Sequence, residues 1–295
     1  MTVMMMSSSA LLLSTRRRSR KRRQIQQKDR QRACCVDIPF LIPDSFRSRF
    51  CKRSIVAACT KSMISHLSYM RGVLPSPPSV LLQAPNESDS TRRDAKMRRA
   101  AKCRESLMAL WRDLDGIFGS RYGEGIEAVL ITLGTSWQRP RENFLINAKH
   151  LGNDKTDTIH SQMTARDEHT LSRRLIAQFM TGTQQGENER FTDCISHTSA
   201  GASSFKVFVS VCISSHILGC ISGDDNQDSI DLDSDQSWSR LHFRRDFKLQ
   251  SLVDNVGKGA RKPLISVNIG GTAHRGDLEH GCWLSMPSCV KGFRA

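Results

Sequence analysis

Cys194-x-x-His197 and Cys212-x-x-x-His216 supply two thiols and two imidazoles, ligand types and spacings that could in principle hold a tetrahedral zinc ion. The competing account is packing, because Cys212 and His216 fall inside or just after an apolar, β-branched run where so short a gap suits a strand. Packing is preferred, and no metal is expected. A second set is acidic. Counted from Asp231, the residues Asp233 and Asp235 fit alternate positions of a calcium-binding loop. The sixth position is Gln236 where Gly is needed for the sharp turn, and the twelfth is His242 where a bidentate Glu belongs. The six Asp residues between Gly223 and Ser237 therefore read as an acidic surface loop, at about 223–237.

Patterns for catalysis lack their context. Gly123-Glu124-Gly125-x-x-Ala128 matches a dinucleotide loop only as a string, since a strand pattern follows where a helix N-terminus should cradle the pyrophosphate. Ser203-x-x-Lys206 mimics a Ser-Lys nucleophile pair without its companion motifs. No phosphate-binding loop ending in Gly-Lys-Ser/Thr is present. The chain reads as a non-enzyme, with no catalytic residue and no cofactor.

Charge and cysteine usage point the same way. Of the net +15 over 295 residues, +9 lies in Met1 to Arg32, where ten Lys or Arg face the single Asp29. Arg16-Arg17-Arg18-Ser19-Arg20-Lys21-Arg22-Arg23 is too charged to bury, and residues 1–35 read as a disordered basic tail. The cluster fits a nuclear signal first, with an organelle transit peptide or a plain solvated tail as alternatives. The ten cysteines contain no Cys-x-x-Cys, so reduced core thiols are expected. No stretch has the roughly eighteen apolar residues of a membrane span; Phe205 to Ile221 comes nearest, but Lys206, His216 and intervening Ser and Gly suit buried strands better. A basic cluster without interleaved aromatics makes nucleic acid an unlikely partner.

The elements follow from periodicity. Ile55, Cys59, Met63 and Leu67 predict a helix over Lys52 to Arg71, stopped by Pro75, Pro77 and Pro78. Cys103, Leu107, Leu110, Leu114 and Ile117 predict a second from about Arg93 to Phe118, and Leu171, Leu175, Ile176 and Phe179 a third over about Arg166 to Met180, ended by Gly182. Strands are expected at Ile126 to Leu133 as a central strand, at Phe144 to Ile146 as an edge, at Phe205 to Ile213 and at Leu241 to Leu249. Leu264 to Ile269 alternates as a half-buried strand, and Trp283, Val290 and Phe293 are apolar enough to dock the carboxyl end on the body. Roughly three helices and five or six strands make an α+β fold, helices packed on a mainly antiparallel sheet, in one domain over 36–295.

Several blocks in order resemble the comet protein family, HORMA-like adaptors of the spindle checkpoint. They are Leu67-Ser68-Tyr69-Met70-Arg71-Gly72-Val73-Leu74-Pro75, Lys102-Cys103, Val129-Leu130-Ile131-Thr132-Leu133-Gly134, Leu171 to Met180, Phe243-Arg244, and Lys291-Gly292-Phe293-Arg294. The resemblance covers most of Lys52 to Ala295. It implies a HORMA-like domain whose carboxyl-terminal strands form a safety-belt-like segment lying back on its own sheet. It further implies an adaptor that binds the closed mitotic-arrest-deficient-two protein and presents it to a hexameric AAA+ remodelling ATPase. Checkpoint silencing would follow, with residence in the nucleus and association with cytoplasm, spindle or kinetochore during division.

On this resemblance the checkpoint-protein contact falls on Leu175, flanked by Leu171, Arg174, Gln178 and Phe179, with Arg71 near the end of the first helix. Leu175 and Phe179 equally suit a core position facing the sheet. The ATPase-facing segment corresponds to Phe243 to Lys248, naming Arg244 and Lys248, which also read as solvated charges on an edge strand. Around Tyr69 to Leu74 the family carries glutamines where this chain has Met70, Gly72 and Val73. The alternatives are a HORMA adaptor acting in meiosis and a nuclear nucleic-acid-associated basic protein.

Overall fold

The computed structural model describes residues 35–83, 95–120, 122–151, 162–185, 205–214, 240–243, 264–270, 278 and 282–292. Its frame is an eight-stranded mixed sheet with several helices, an arrangement compatible with the α+β class. The strands are β1 (Cys35–Phe40), β2 (Ile126–Ser136), β3 (Arg139–Asn147), β4 (Lys206–Ile213), β5 (His242–Phe243), β6 (Leu264–Ile269), β7 (Cys282–Ser285) and β8 (Val290–Lys291). The helices are α1 (Asp44–Arg47), α2 (Lys52–Met70), α3 (Pro78–Gln83), α4 (Ala95–Gly119) and α5 (Ala165–Gln185).

The sheet order is β1-β6-β3-β2-β4-β7-β5, with β8 pairing β4 beside β7. Two neighbours are parallel, β1 with β6 and β6 with β3; the remaining pairs are antiparallel. Sequence order explains the mixture. The β2–β3 hairpin and the return to β4 are antiparallel, whereas β6 arrives from a distant part of the chain and runs alongside β3.

Each strand turns one set of side chains toward the helices and the other set away. Val129, Ile131, Phe144, Ile146, Val207, Val209, Val211, Ile265 and Val267 join the helices in the main core. Ala128, Leu130, Leu145, Cys212, Leu264 and Trp283 form a second cluster with Leu278. The first two long helices carry their predicted stripes inward: Ile55, Cys59, Met63 and Leu67 from α2, and Cys103, Leu107, Leu110, Leu114 and Ile117 from α4, are all buried.

Helix ends have local causes. At the end of α2, Gly72 takes φ +62 and lets the amides of Val73 and Leu74 donate to the Ser68 carbonyl at 2.9 and 3.1 Å. At the start of α5, the Thr164 amide donates to Asp167 Oδ2 at 3.2 Å and the Asp167 amide donates back to Thr164 Oγ1 at 3.3 Å, a reciprocal cap.

Several expectations change. Phe144 to Ile146 is not an edge: β3 lies between β2 and β6, because β6 supplies a parallel partner that local patterning does not announce. β6 is buried along its whole length rather than on one side, Ser266 and Asn268 included. Gly182 does not end α5, which continues to Gln185. Strand β1 and helix α3 were not expected; Pro78 is the first residue of α3, where its missing N–H is harmless. Only His242–Phe243 of the strand expected over Leu241 to Leu249 lies among the described residues as strand. The basic tail, the acidic loop at 223–237 and Phe293 lie outside them.

Candidate protein-partner interface

Helix α5 packs beside α2. Near its start the Asp167 carboxylate lies 3.9 Å from Arg49, and near its end the Phe179 ring stands edge-on to His66 at 6.1 Å and tilted against Phe144 at 6.2 Å. The two helices therefore run side by side in the same direction. The Asp167 carboxyl is held below its usual range, first by the hydrogen bond from the Thr164 hydroxyl.

This packing decides which side chains α5 offers outward. Leu171, Leu175 and Phe179 are exposed by 0%, 1% and 4%, three core residues at the i, i+4, i+8 positions of one stripe. Leu175, the apolar partner contact drawn from the resemblance, is thus an interior residue here, as are its neighbours Leu171 and Phe179. The physical reason is that β3 and α2 need a covering layer, and these three side chains supply it. The outward flank is Arg173, Arg174, Ala177 and Met180. Gln178 is half-buried, and its Oε1 is a buried acceptor without a hydrogen-bond partner among the described residues.

Arg71 is committed to the fold. Its Nε donates to Glu142 Oε2 at 2.8 Å, with the two side chains 11% and 3% exposed. The pair ties the end of α2 to β3, and patterning gave no sign of the buried place of Glu142, which sits between Arg141 and Asn143. A charge this close to His66 matters: burial first, and Arg71 second, push the imidazole below its ordinary range. At neutral pH His66 is therefore uncharged. Its folded pKa lies below the unfolded one, so its contribution to stability is present above the unfolded value and is lost as pH falls toward the folded value.

The carboxyl end is clasped between elements. β7 pairs Cys282 through Ser285 with Ile213 through Ser210, and β8 pairs Val290 and Lys291 with Val207 and Lys206. From α4, the Cys103 thiol donates to the Lys291 carbonyl at 2.9 Å, and the Lys291 amide donates to Ser106 Oγ at 3.2 Å. A side chain on Gly292 would meet the Phe205 carbonyl oxygen at 2.2 Å, so only glycine fits this crossing. Trp283 and Val290 are buried, and the docking expected of this segment is present.

The remaining candidates separate cleanly. Cys212 lies in β4, its thiol pushed up to about 12 by burial; Cys194, His197 and His216 lie outside the described residues. Burial raises the Cys59 thiol further and Cys103 to about 11, so none of the three supplies thiolate at neutral pH. Among the described residues no group of three or more His, Cys, Asp or Glu is placed to hold a metal ion. Gly123 to Gly125 form a 3-10 turn leading into β2, not a helix N-terminus. Lys206 opens β4, while Ser203 is not described. Arg244, Lys248 and the tail residues Arg16, Arg17, Arg18, Arg20, Lys21, Arg22 and Arg23 also lie outside the described residues. No described helix is long and apolar enough to cross a membrane. Neither a comparison with protein-family models nor one with curated proteins finds a match.

Proposed function

We propose that the chain is a non-enzymatic HORMA-like adaptor. In this reading it binds the closed mitotic-arrest-deficient-two checkpoint protein and delivers it to a hexameric AAA+ ATPase, silencing the spindle assembly checkpoint. The observation that carries the reading is the carboxyl-terminal clasp. β7 and β8 return to β4, and Cys103 and Ser106 hold β8 at Lys291, so this segment lies along β4 of its own sheet, as a safety-belt-like segment lying back on itself would. Of the blocks that carry the resemblance, the Lys102-Cys103 step of α4, strand β2 beside β4 and Lys291-Gly292 belong to this arrangement, while helix α5 packs on α2 and β1.

The burial of Leu175 moves the partner contact to the outward flank of α5. Arg174 and Gln178 are four residues apart on the helix, and Arg174 is exposed on its outward flank. Arg174→Glu is the test, because it reverses a charge on an exposed position and leaves the core intact. Titration calorimetry with the purified closed checkpoint protein should show binding by the unaltered chain, weakened at least about tenfold by the variant. Absence of binding by the folded, unaltered chain overturns the adaptor reading. Leu175→Asp is unsuitable, since a carboxylate at a buried position disrupts folding first.

A further inference from the structure

Ser76 makes no hydrogen bond that holds the fold. It lies in the connection between α2 and α3, within Leu74-Pro75-Ser76-Pro77-Pro78. The start of α3 is closed by its neighbour: the Pro77 carbonyl accepts from the amides of Val80 and Leu81, each at 3.0 Å. The Ser76 side chain is half-buried rather than sealed in and has no hydrogen-bond partner, so its hydroxyl meets solvent. Ser106 is different, since its hydroxyl donates to the Cys103 carbonyl at 2.8 Å and accepts from the Lys291 amide at 3.2 Å. Of the nine prolines in the sequence, only Pro77 follows a Ser or Thr. Proline has no N–H. A kinase groove that leaves the amide after the phosphoacceptor without a partner therefore selects proline there, because any other residue would strand a buried donor. Pro77 also disfavours the helical region for Ser76 and biases it toward the extended backbone that such a groove binds.

The anchors of this loop set where a phosphate on it would fall. Three residues before Ser76, the Val73 carbonyl lies 3.7 Å from the Cys103 thiol of α4. Two residues after it begins α3, which packs on α4 and buries Leu81. Three residues span at most about 11 Å, so Ser76 stays beside α4. Residues 95–104 of that helix contain Lys96, Arg98, Arg99, Lys102 and Arg104 and no acid. Lys96 and Arg98, in the first turn, oppose the helix dipole, so helix stability does not account for them. A dianion on the adjoining loop would.

We propose that Ser76 is the acceptor of a proline-directed protein kinase and that its phosphate is held by the basic half of α4. In the transfer, Ser76 Oγ bonds to the γ-phosphorus of ATP and the bond from that phosphorus to the departing ADP oxygen breaks. The hydroxyl proton passes to the kinase's catalytic carboxylate. The product group carries a charge of about −1.5 to −2, with a second pKa of about 6 when nothing charged is near. Neighbouring cations favour the dianion and lower that value. Charge-assisted hydrogen bonds then tie the loop to α4 in addition to the packing of α3. The inference is independent of the checkpoint reading.

The test uses the full, folded chain with a purified mitogen-activated protein kinase and MgATP, the site being read by mass spectrometry. Phosphate should be added at Ser76. Ser76→Ala and, separately, Pro77→Ala should each lower incorporation at least about tenfold, the second with the hydroxyl still in place. Thermal unfolding like that of the unaltered chain ties both losses to the site. The phosphorus NMR resonance of the folded product should titrate at least about 0.5 pH unit below that of the same product in concentrated urea. An Arg98→Gln, Arg99→Gln, Lys102→Gln, Arg104→Gln variant, still phosphorylated, should lose that difference. The proposal is overturned if the folded chain takes up no phosphate at Ser76, or if Pro77→Ala is phosphorylated as the unaltered chain is. It is equally overturned if the folded and unfolded products titrate together, or if the α4 variant keeps the difference.

Discussion

The helix-covered face of the sheet presents Val129, Ile131, Phe144, Val209, Ile265 and Val267, while the opposite face of the same strands presents Thr132, Asn143, Asn147, Ser210, Ser266 and Asn268. Both sets are exposed by 4% or less. On the first face burial is apolar, non-directional and cumulative. On the second, hydroxyls and carboxamides are buried next to Leu130, Leu145 and Trp283 and must find one another: Thr132 Oγ1 donates to Asn143 Oδ1 at 3.2 Å, Ser266 Oγ to Asn268 Oδ1 at 3.1 Å, and Ser210 and Ser285 hydroxyls meet at 3.1 Å. The first and third cross strands, β2 to β3 and β4 to β7, and select register as much as they stabilise, since a slip of one residue would place the carboxamide and hydroxyls on the wrong face; the second lies within β6. The contrast teaches that the fold divides its labour: the helix face supplies most of the stability, and the second face fixes which strand pairs with which.

The sharpest way to break that contrast is to cut equal volumes from both faces. Leu110→Ala on α4 removes a side chain at 0% exposure from the large core and should lower the unfolding free energy by about 3–5 kcal/mol. Leu145→Ala removes the same volume from the smaller cluster and should cost about 2–3 kcal/mol, as fewer apolar neighbours surround it. Equal effects in urea denaturation would mean the two faces do not differ in kind.

Next in size is the charge pair that ends the helix face. Arg71→Leu leaves Glu142 buried at 3% exposure without its cation and should cost about 3 kcal/mol, since an unpaired buried carboxylate is worse than no carboxylate. The same change removes one cause of the depressed His66 pKa, so its imidazole should titrate nearer the ordinary value by NMR. An unmoved His66 resonance would show burial alone to be at work.

How far these features could be read in advance depended on whether the determining contact was local. The long helices were legible because their stripes, such as Ile55, Cys59, Met63 and Leu67, are set by a helix's own period. The central place of β2 was legible from its β-branched run between glycines. The interior place of β3 was not, because it follows from a parallel partner, β6, far along the chain. For the same reason Ser266 and Asn268 looked like a solvent face: polarity alone cannot separate exposed side chains from buried ones that have partners. At the candidate interface, periodicity identified the stripe of Leu171, Leu175 and Phe179 but not what lay opposite it. The resemblance placed a partner there, and the fold places α2 and β3 there instead.

The smallest expected effect is also the most diagnostic of the second face. Thr132→Val replaces the hydroxyl that donates to Asn143 by a methyl group of similar shape. Asn143 Nδ2 already has no partner among the described residues, so the variant leaves the whole carboxamide unsatisfied at 1% exposure. That should cost about 1–3 kcal/mol. Asn143→Leu alone strands only the Thr132 hydroxyl and should cost less. The double variant removes donor and acceptor together and replaces both by apolar groups, so it should lie within about 1 kcal/mol of the unaltered chain. Its coupling energy then has the sign of a pair whose members need each other rather than water. If the double variant instead shows the sum of the two single effects, the carboxamide is held by something other than Thr132, and the polar row would be a set of separate residues rather than a register-fixing network.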